Sequence, residues 1–225
     1  MSKMKKILVV TCSEDDGKNT PLVRSLSVLK NDVTVVVNAN NDIGLSKAYN
    51  RQLVADNLIK HDIALFVHDD VYIDDLKLKG KLYTAIDNLG YDIVGLAGAK
   101  TMKLGEPYLW HRMSSQQDWS GAVSHPVSDG KAMVTSFGPW PERCLVLDGL
   151  FLAVNIKAAL EKEWKFNESF MYHHYDISSC LDANRKKLKM GTYPIYVTHN
   201  SPGLRDLNDP DYQKSKNKFA ELYNK

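Results

Sequence analysis

The sequence predicts an α/β fold, a mostly parallel sheet of the doubly wound kind flanked by helices, in a single domain. Three observations predict it. Through the first seventy residues, short β-branched runs alternate with longer stretches whose apolar residues recur at helical spacing, the change of period that marks βαβ units. Polar residues gather just after each strand run, where ligands sit in an open α/β sheet. A chain of 225 residues, 44% of them hydrophobic, is enough for one core with at most a small annex.

Ile7 to Thr11 is the first strand, and Pro21, Leu22, Leu26 and Leu29 share a helical face behind Thr20, an N-cap type followed by proline. Val33 to Val37 is the second strand, Asn38 to Gly44 a loop, and Leu45 to Ile59 a helix. Ile63 to Val67 is a third strand, closed by the polar cluster His68, Asp69 and Asp70. A helix from about Asp75 to Asn88 and a strand from Ile93 to Leu96 continue the winding. Periodicity fades from Thr101 to Arg143, a stretch holding Trp110, His111, Trp119, His125 and Trp140. We read it as a substrate-facing loop, since loops on rigid sheets carry binding groups. An antiparallel hairpin pair with aromatic core residues is the alternative. Cys144 to Val154 predicts a strand, Ile156 to Glu163 a short helix, Phe166 to Tyr172 an aromatic loop, and Ile177 to Leu188 a helix stopped at Gly191. Ile195 to Thr198 is a last strand delivering His199. Asp209 and Pro210 open a final helix whose Tyr212, Phe219, Leu222 and Tyr223 share one face, which docks it on the domain.

Charge and cysteine content narrow the function classes. Twenty-nine Lys and Arg against 27 Asp and Glu leave a net charge of +2, which argues against whole-molecule attraction to nucleic acid. No apolar stretch approaches the ~20 residues of a membrane span, so a cytoplasmic protein with no transmembrane segment is expected. Cys12, Cys144 and Cys180 are odd in number and well separated; reduced, buried thiols are expected rather than disulfides or a zinc site.

The residues after each strand are the candidates for chemistry: Thr11, Cys12 and Ser13 at the first, Asn38, Asn40 and Asn41 at the second, His68, Asp69 and Asp70 at the third, His199 and Asn200 at the last. They are predicted to converge on one cleft. Neither GxxxxGK[ST] nor GxGxxG is present, so no glycine loop brings backbone N–H groups against phosphate. Two adjacent carboxylates at the end of a buried strand suggest instead a divalent cation, Mg2+ or Mn2+, whose charge binds a substrate diphosphate.

In this arrangement the chain resembles the GT-A glycosyltransferases, a Rossmann-like fold, and within them the family 2-like group that includes the streptomycin-biosynthesis type. The stretch Ala64 to Ile73 (ALFVHDDVYI) is similar to a variant Asp-x-Asp motif, with His68 at the first aspartate and Asp70 at the second. Gly44 to Asn50 (GLSKAYN) resembles the family's Gly-x-x-x-Ala-x-Asn helix, with Tyr49 where arginine is common. Val146 to Phe151 (VLDGLF) resembles the acceptor-side strand, and Phe166 to Phe170 (FNESF), with His174-Tyr175-Asp176 after it, the Phe-Asp-Glu-x-Phe and Glu-Asp signature. The resemblance implies residues 1–100 as a nucleotide-sugar-binding half, 101–208 as an acceptor and catalytic half and 209–225 as a C-terminal helix, together one domain over 1–225.

The implied activity is inverting, metal-dependent sugar transfer from a nucleotide-diphosphate sugar, a UDP-sugar by expectation, to an acceptor hydroxyl of a glycan or small metabolite. Asp176 falls on the catalytic base, and Asp148 orients the acceptor or caps Gly149 and Leu150. Asp70 and His199 are the implied metal ligands. Donor binding falls to Thr11, Cys12, Ser13, Asn38, Asn41, Lys47, Asn50, His68 and Asp69, with His68 a ribose or base contact rather than a metal ligand. Trp110, Trp140 and His174 are assigned to the acceptor; for the tryptophans, pinning the long stretch is an equal alternative. Some phage enzymes of similar type glycosylate hydroxymethylated cytosine in DNA, which would place such a protein in the host cytoplasm. The runs Lys77, Lys79, Lys81 and Arg185, Lys186, Lys187, Lys189 are compatible with that acceptor, or are plain solvated helix faces. A nucleotide-sugar-binding or nucleic-acid-binding module without turnover is the reading from another class.

Overall fold

A computed structural model describes residues 5–127, 130–201 and 206–224. In the first half, β1 (Lys6–Cys12), β2 (Val33–Asn38) and β3 (His61–Val67) form with β1 parallel to both neighbours, as the alternating pattern predicts. β1 and β3 are buried nearly throughout, which is why they read as unbroken apolar runs. Between them α1 (Pro21–Leu26) starts at Thr20, whose hydroxyl accepts from the Val23 N–H at 3.3 Å. The predicted helix over Leu45 to Ile59 is two pieces, α2 (Leu45–Asn50) and α3 (Ala55–Leu58). It breaks where the Asn50 amide leaves the helix to clasp the Phe166 backbone, accepting from its N–H at 2.8 Å and donating to its carbonyl at 2.9 Å.

Next come β4 (Val71–Ile73), α4 (Leu78–Tyr83), β5 (Ile93–Gly95) and β6 (Ala97–Ala99), the predicted helix to Asn88 relaxing into a wide turn after Tyr83. The stretch read as a long loop contains a hairpin instead, β7 (Trp119–Pro126) with β8 (Ala132–Gly138), then the short β9 (Glu142–Arg143). Its core is aromatic: Trp110, Trp119 and Phe137 meet edge to face at 5.3–6.3 Å between centroids. The predicted strand over Cys144 to Val154 is split into β10 (Val146–Leu147) and β11 (Phe151–Asn155). Between them the Asp148 carboxylate accepts from the Leu150 N–H at 3.0 Å and turns the chain.

The second half closes with α5 (Ile156–Glu161), α6 (Tyr175–Arg185), β12 (Met190–Thr192), β13 (Val197–His199) and α7 (Pro210–Tyr223). Gly191 lies inside β12 rather than stopping a helix; a Cβ there would overlap the Tyr91 ring, so the position is small for packing. α7 forms as predicted, with Asp209 capping it and Tyr212, Phe219 and Tyr223 buried.

These strands build two sheets, β2-β1-β3-β11-β5-β12-β9 and β10-β6-β7-β13-β4, with β8 added to β7. The predicted α/β architecture is present, but the larger sheet is mixed rather than mostly parallel: β11 runs antiparallel to both β3 and β5. The cause is local. β11 starts from a tight turn near the C-terminal end of β3, with no crossover helix to carry the chain back. Among the described residues, no helix is long and apolar enough to cross a membrane, and the three cysteines are free and buried.

Candidate active site

The chain passes from one sheet to the other between β3 and β4 and again between β10 and β11, and these two crossings lie together. The His68 N–H donates to the Leu150 carbonyl at 3.1 Å, joining the segment His68-Asp69-Asp70 to Asp148-Gly149-Leu150. β13 pairs with β4 so that His199 stands opposite Val71, and the Asn200 N–H donates to the Asp70 carbonyl at 2.9 Å. α6 arrives from the other side, its first turn supplying Tyr175 and Asp176. A seam between two sheets thus holds a histidine or carboxylate from four separate parts of the chain.

His68, Asp70 and His199 form one group, each offering a ligand atom within 4.8 Å of the others. His199 Nε2 is 3.2 Å from Asp70 Oδ1, yet that oxygen is buried and makes no well-aligned hydrogen bond. Its lone pairs are unspent. Burial pushes the Asp70 carboxyl up, but the contact with His199 and the charges of His199 and His68 outweigh it and hold the group below the ordinary carboxylate value. For His68, burial dominates and lowers the imidazole despite Asp70, favouring the neutral ring that ligates metal.

The tautomer of His68 follows from its neighbour. Tyr175 has one hydroxyl proton and gives it to the Gly149 carbonyl at 2.7 Å; it therefore accepts from His68 Nε2–H at 3.0 Å. The lone pair of His68 is then on Nδ1. Tyr175 is fixed in turn by an aromatic cluster beneath it, Tyr49, Phe66 and Phe166, with centroids 4.9–6.2 Å apart. The set of one carboxylate oxygen and two imidazole nitrogens, with an unpartnered oxygen among them, fits a divalent transition-metal ion better than Mg2+, which favours all-oxygen coordination.

The two carboxylates beside this group differ in environment. Asp148 is engaged at both oxygens, by Trp110 Nε1 at 2.9 Å and by the Leu150 N–H at 3.0 Å. Asp176 accepts from the Gly149 N–H at 3.1 Å. Burial, and then the charge of Asp148, pushes Asp176 up to about 7 against the backbone N–H groups that lower it. A carboxylate near 7 is suited to take a proton at neutral pH. Gly149 is clamped by both residues of the α6 turn, and a Cβ there would overlap the Tyr175 hydroxyl and lie 2.9 Å from Asp176 Cβ.

Two cavities meet at the seam and share His68 and Tyr172. One, about 560 Å³, lies over the ends of β1 and β3 and is lined by the expected Cys12, Ser13, Asn41, His68, Asp69 and Asp70. The other, about 390 Å³, is lined by Trp110, Asp148, His174, Asp176 and His199 among others. Several expected residues are placed elsewhere. Asn38 donates to the Thr11 carbonyl at 3.0 Å, Asn50 is the Phe166 clasp, Lys47 is exposed, and Thr11 is buried; none of the four lines either cavity. Trp140 packs edge to face on Tyr196 at 6.1 Å, away from both cavities. His68, set apart from the ion by sequence reasoning, stands in the group with Asp70 and His199. Tyr175 was missed: as an interior residue of a signature read for its aspartate, it gave no signal apart from adjacency.

The comparisons agree with this architecture. A model described as a glycosyltransferase-like family matches residues 8–223. No curated protein matches. Among solved structures, a protein from STIV is 15% identical with TM-score 0.51, the match covering 83% of this chain and 81% of that one. S. aureus TarS 1–349 in complex with UDP is 14% identical with TM-score 0.50, covering 97% and 72%. GalNAc-T7 with UDP, GalNAc and Mn2+ is 10% identical with TM-score 0.59, covering 99% of this chain and 48% of that one. These likenesses are of fold. With the family model spanning nearly the whole of the sequence, the chain belongs to the glycosyltransferase-like family.

Proposed function

We propose that this protein is an inverting, metal-dependent glycosyltransferase moving a sugar from a nucleotide-diphosphate sugar, with UDP as the nucleotide, to the hydroxyl of a glycan or small metabolite. The observation that carries the proposal is Asp176. It is a carboxylate raised to about 7, on the wall of one cavity, with the His68, Asp70 and His199 group at the junction with the other. Support for UDP comes from its presence in the TarS and GalNAc-T7 structures.

In this reading the larger cavity takes the donor, and His68, Asp70 and His199 hold Mn2+. The bound ion supplies positive charge that offsets the diphosphate's own. Asp176 accepts the proton of the acceptor hydroxyl as that oxygen attacks the anomeric carbon. The bond from that carbon to the diphosphate oxygen breaks, its electron pair leaves with UDP, and the configuration inverts. The proton on Asp176 then passes to solvent. Asp148, spent on Trp110 and Leu150, acts by positioning the acceptor wall and by raising Asp176.

Transfer to hydroxymethylated DNA is the second acceptor. Three of the seven basic residues offered for it are paired within the fold: Lys79 with Asp32 at 2.9 Å, Lys81 with Asp75 at 2.5 Å, and Arg185 with Asp182 at 3.0 Å. The Arg185 cluster also lies at the far end of α6 from Asp176, roughly 15 Å away at 1.5 Å per residue. The deciding experiment is UDP release from a panel of UDP-sugars with and without Mn2+, with glycan and hydroxymethylated-DNA acceptors supplied. Metal-dependent release is expected; neither release nor a thermal shift with UDP and Mn2+ would overturn the proposal.

A further inference from the structure

The smaller cavity contains two buried polar groups that the transfer chemistry does not use. His174 is 5% exposed and Tyr212 is 3% exposed. Both line the cavity, and their His174 Nε2 and Tyr212 hydroxyl are without a hydrogen-bond partner among the described residues. They face one another, ring centroids 5.0 Å apart.

The protonation of His174 is settled by its other nitrogen. The Ser215 hydroxyl donates to the His173 carbonyl at 2.8 Å, so it accepts from His174 Nδ1–H, also at 2.8 Å. Nε2 therefore carries a lone pair. Burial, and then the neighbouring His173, lowers this imidazole to about 4, so it stays neutral across the physiological range. The cavity thus offers one hydrogen-bond acceptor, His174 Nε2, and one hydroxyl, Tyr212, which donates or accepts. Unmet, each such group costs the folded protein free energy that a partner recovers.

His174 is also held in register with the proposed base. It occupies the left-handed region, φ 62°, at the N-cap of α6, a conformation uncommon outside glycine although histidine adopts it more readily than most residues. Asp176 is two residues on, in the first turn. A ligand gripped at His174 and Tyr212 is consequently placed at a fixed offset from Asp176. The side chains around that offset are largely aromatic or imidazole, with Tyr108, Trp110 and Tyr172 among them, and, histidines apart, the charged groups lining the cavity among the described residues are the carboxylates Asp148 and Asp176. Such a lining fits the apolar faces and hydroxyl edges of a sugar and opposes a phosphate.

We infer that His174 Nε2 and the Tyr212 hydroxyl form an acceptor subsite for an uncharged sugar or polyol, gripping one hydroxyl while a neighbouring one meets Asp176. The inference rests on the glycosyltransferase reading and names its acceptor class. A volume of about 390 Å³ is of the size of a small-ligand pocket.

Two variants isolate the groups. Tyr212→Phe removes the hydroxyl and keeps the ring. His174→Asn tolerates the left-handed backbone, keeps an N–H near Nδ1 for Ser215, and removes Nε2. With the wild type first screened on UDP-sugars against neutral mono- and disaccharides, phosphorylated sugars and hydroxymethylated DNA, a neutral saccharide is expected to be the best acceptor. Each variant is expected to raise its KM about tenfold, the scale of one lost hydrogen bond, while the Kd for UDP with Mn2+ stays within twofold. Saturation-transfer NMR of the saccharide on wild type with UDP and Mn2+ gives an independent reading should either variant fail to fold, and loss of signal there counts against the subsite. Acceptor KM unmoved in both folded variants, or turnover only with phosphorylated sugars or DNA, overturns this inference and leaves sugar transfer standing. No turnover of any donor, to any acceptor or to water, overturns both.

Discussion

Replacing Asp176 by Asn tests both the base and the environment that tunes it, because the two predict opposite effects on activity and stability. The carboxyl is raised from 3.8 to about 7 in the folded protein. Below pH 4 it is protonated in both states and neutral to stability. As pH rises from about 4 to about 7 the unfolded chain ionises first, and folding loses up to about 4 kcal/mol at 1.36 kcal/mol per pH step. Asn never ionises and escapes that loss, but its weaker bond from the Gly149 N–H gives back about 1–2 kcal/mol. The variant is therefore expected to be more stable than wild type by about 2–3 kcal/mol at pH 8. At about 2–4 °C per kcal/mol for a chain of this size, Tm rises by roughly 5–10 °C, and the advantage closes by pH 4. Activity moves the other way: kcat falls about 10²–10⁴-fold, and the limb of the wild-type rate profile that rises with an apparent pKa near 7 disappears. Paired melts from pH 4 to 8 and UDP-release kinetics across the same range read both effects. A variant no more stable at pH 8, or one within threefold of wild-type kcat, refutes the reasoning.

Asp70→Ala removes the only carboxylate of the ligand group, so the rise in Tm produced by Mn2+ with UDP is expected to vanish; an undiminished rise would exclude the site. Tyr175→Phe deletes the hydroxyl that links His68 Nε2 to the Gly149 carbonyl. Mn2+ affinity by calorimetry should fall about 10–100-fold, as for other partners that orient a ligating histidine, with about 1–3 kcal/mol of stability lost from the bared carbonyl. Gly149→Ala forces a Cβ against Tyr175 and Asp176, and urea titration should show a loss of about 1–3 kcal/mol together with weaker Mn2+ binding. Trp110→Phe frees one Asp148 oxygen; acceptor KM is expected to rise several-fold, and an unchanged KM would deny Asp148 its positioning role.

What the sequence made legible, and what it did not, divides along the range of the interactions responsible. β1, β3, α1 and α7 were readable because a strand buried on both faces, or a helix behind Thr20 or Asp209, is specified within ten or so residues of itself. The failures each have a distant cause. The helix expected over Leu45 to Ile59 breaks because Asn50 bonds a segment 116 residues away. β10 and β11 separate because their two halves pair in different sheets. The hairpin β7–β8 was obscured because its inward positions include Ser120 and Gly121, small residues that let β6 approach and that carry no apolar alternation.

The site follows the same division, and the division explains why His68 was read apart from the group in which it stands. Position after a strand was enough to draw His68, Asp70 and His199 toward one cleft. Position says nothing of which imidazole nitrogen holds the proton, and that choice decides whether a histidine is a ligand or a hydrogen-bond donor. For His68 it is made by Tyr175, and for His174 by Ser215, each more than 40 residues away or on another element. The two histidines share one device: a hydroxyl already committed to a backbone carbonyl forces the proton onto the near nitrogen and turns a lone pair toward the cavity. In the proposed reading, metal ligand and acceptor grip are thereby set by the first turn of α6 and the face of α7, on either side of Asp176, so a change in how those helices dock should alter metal and acceptor binding together.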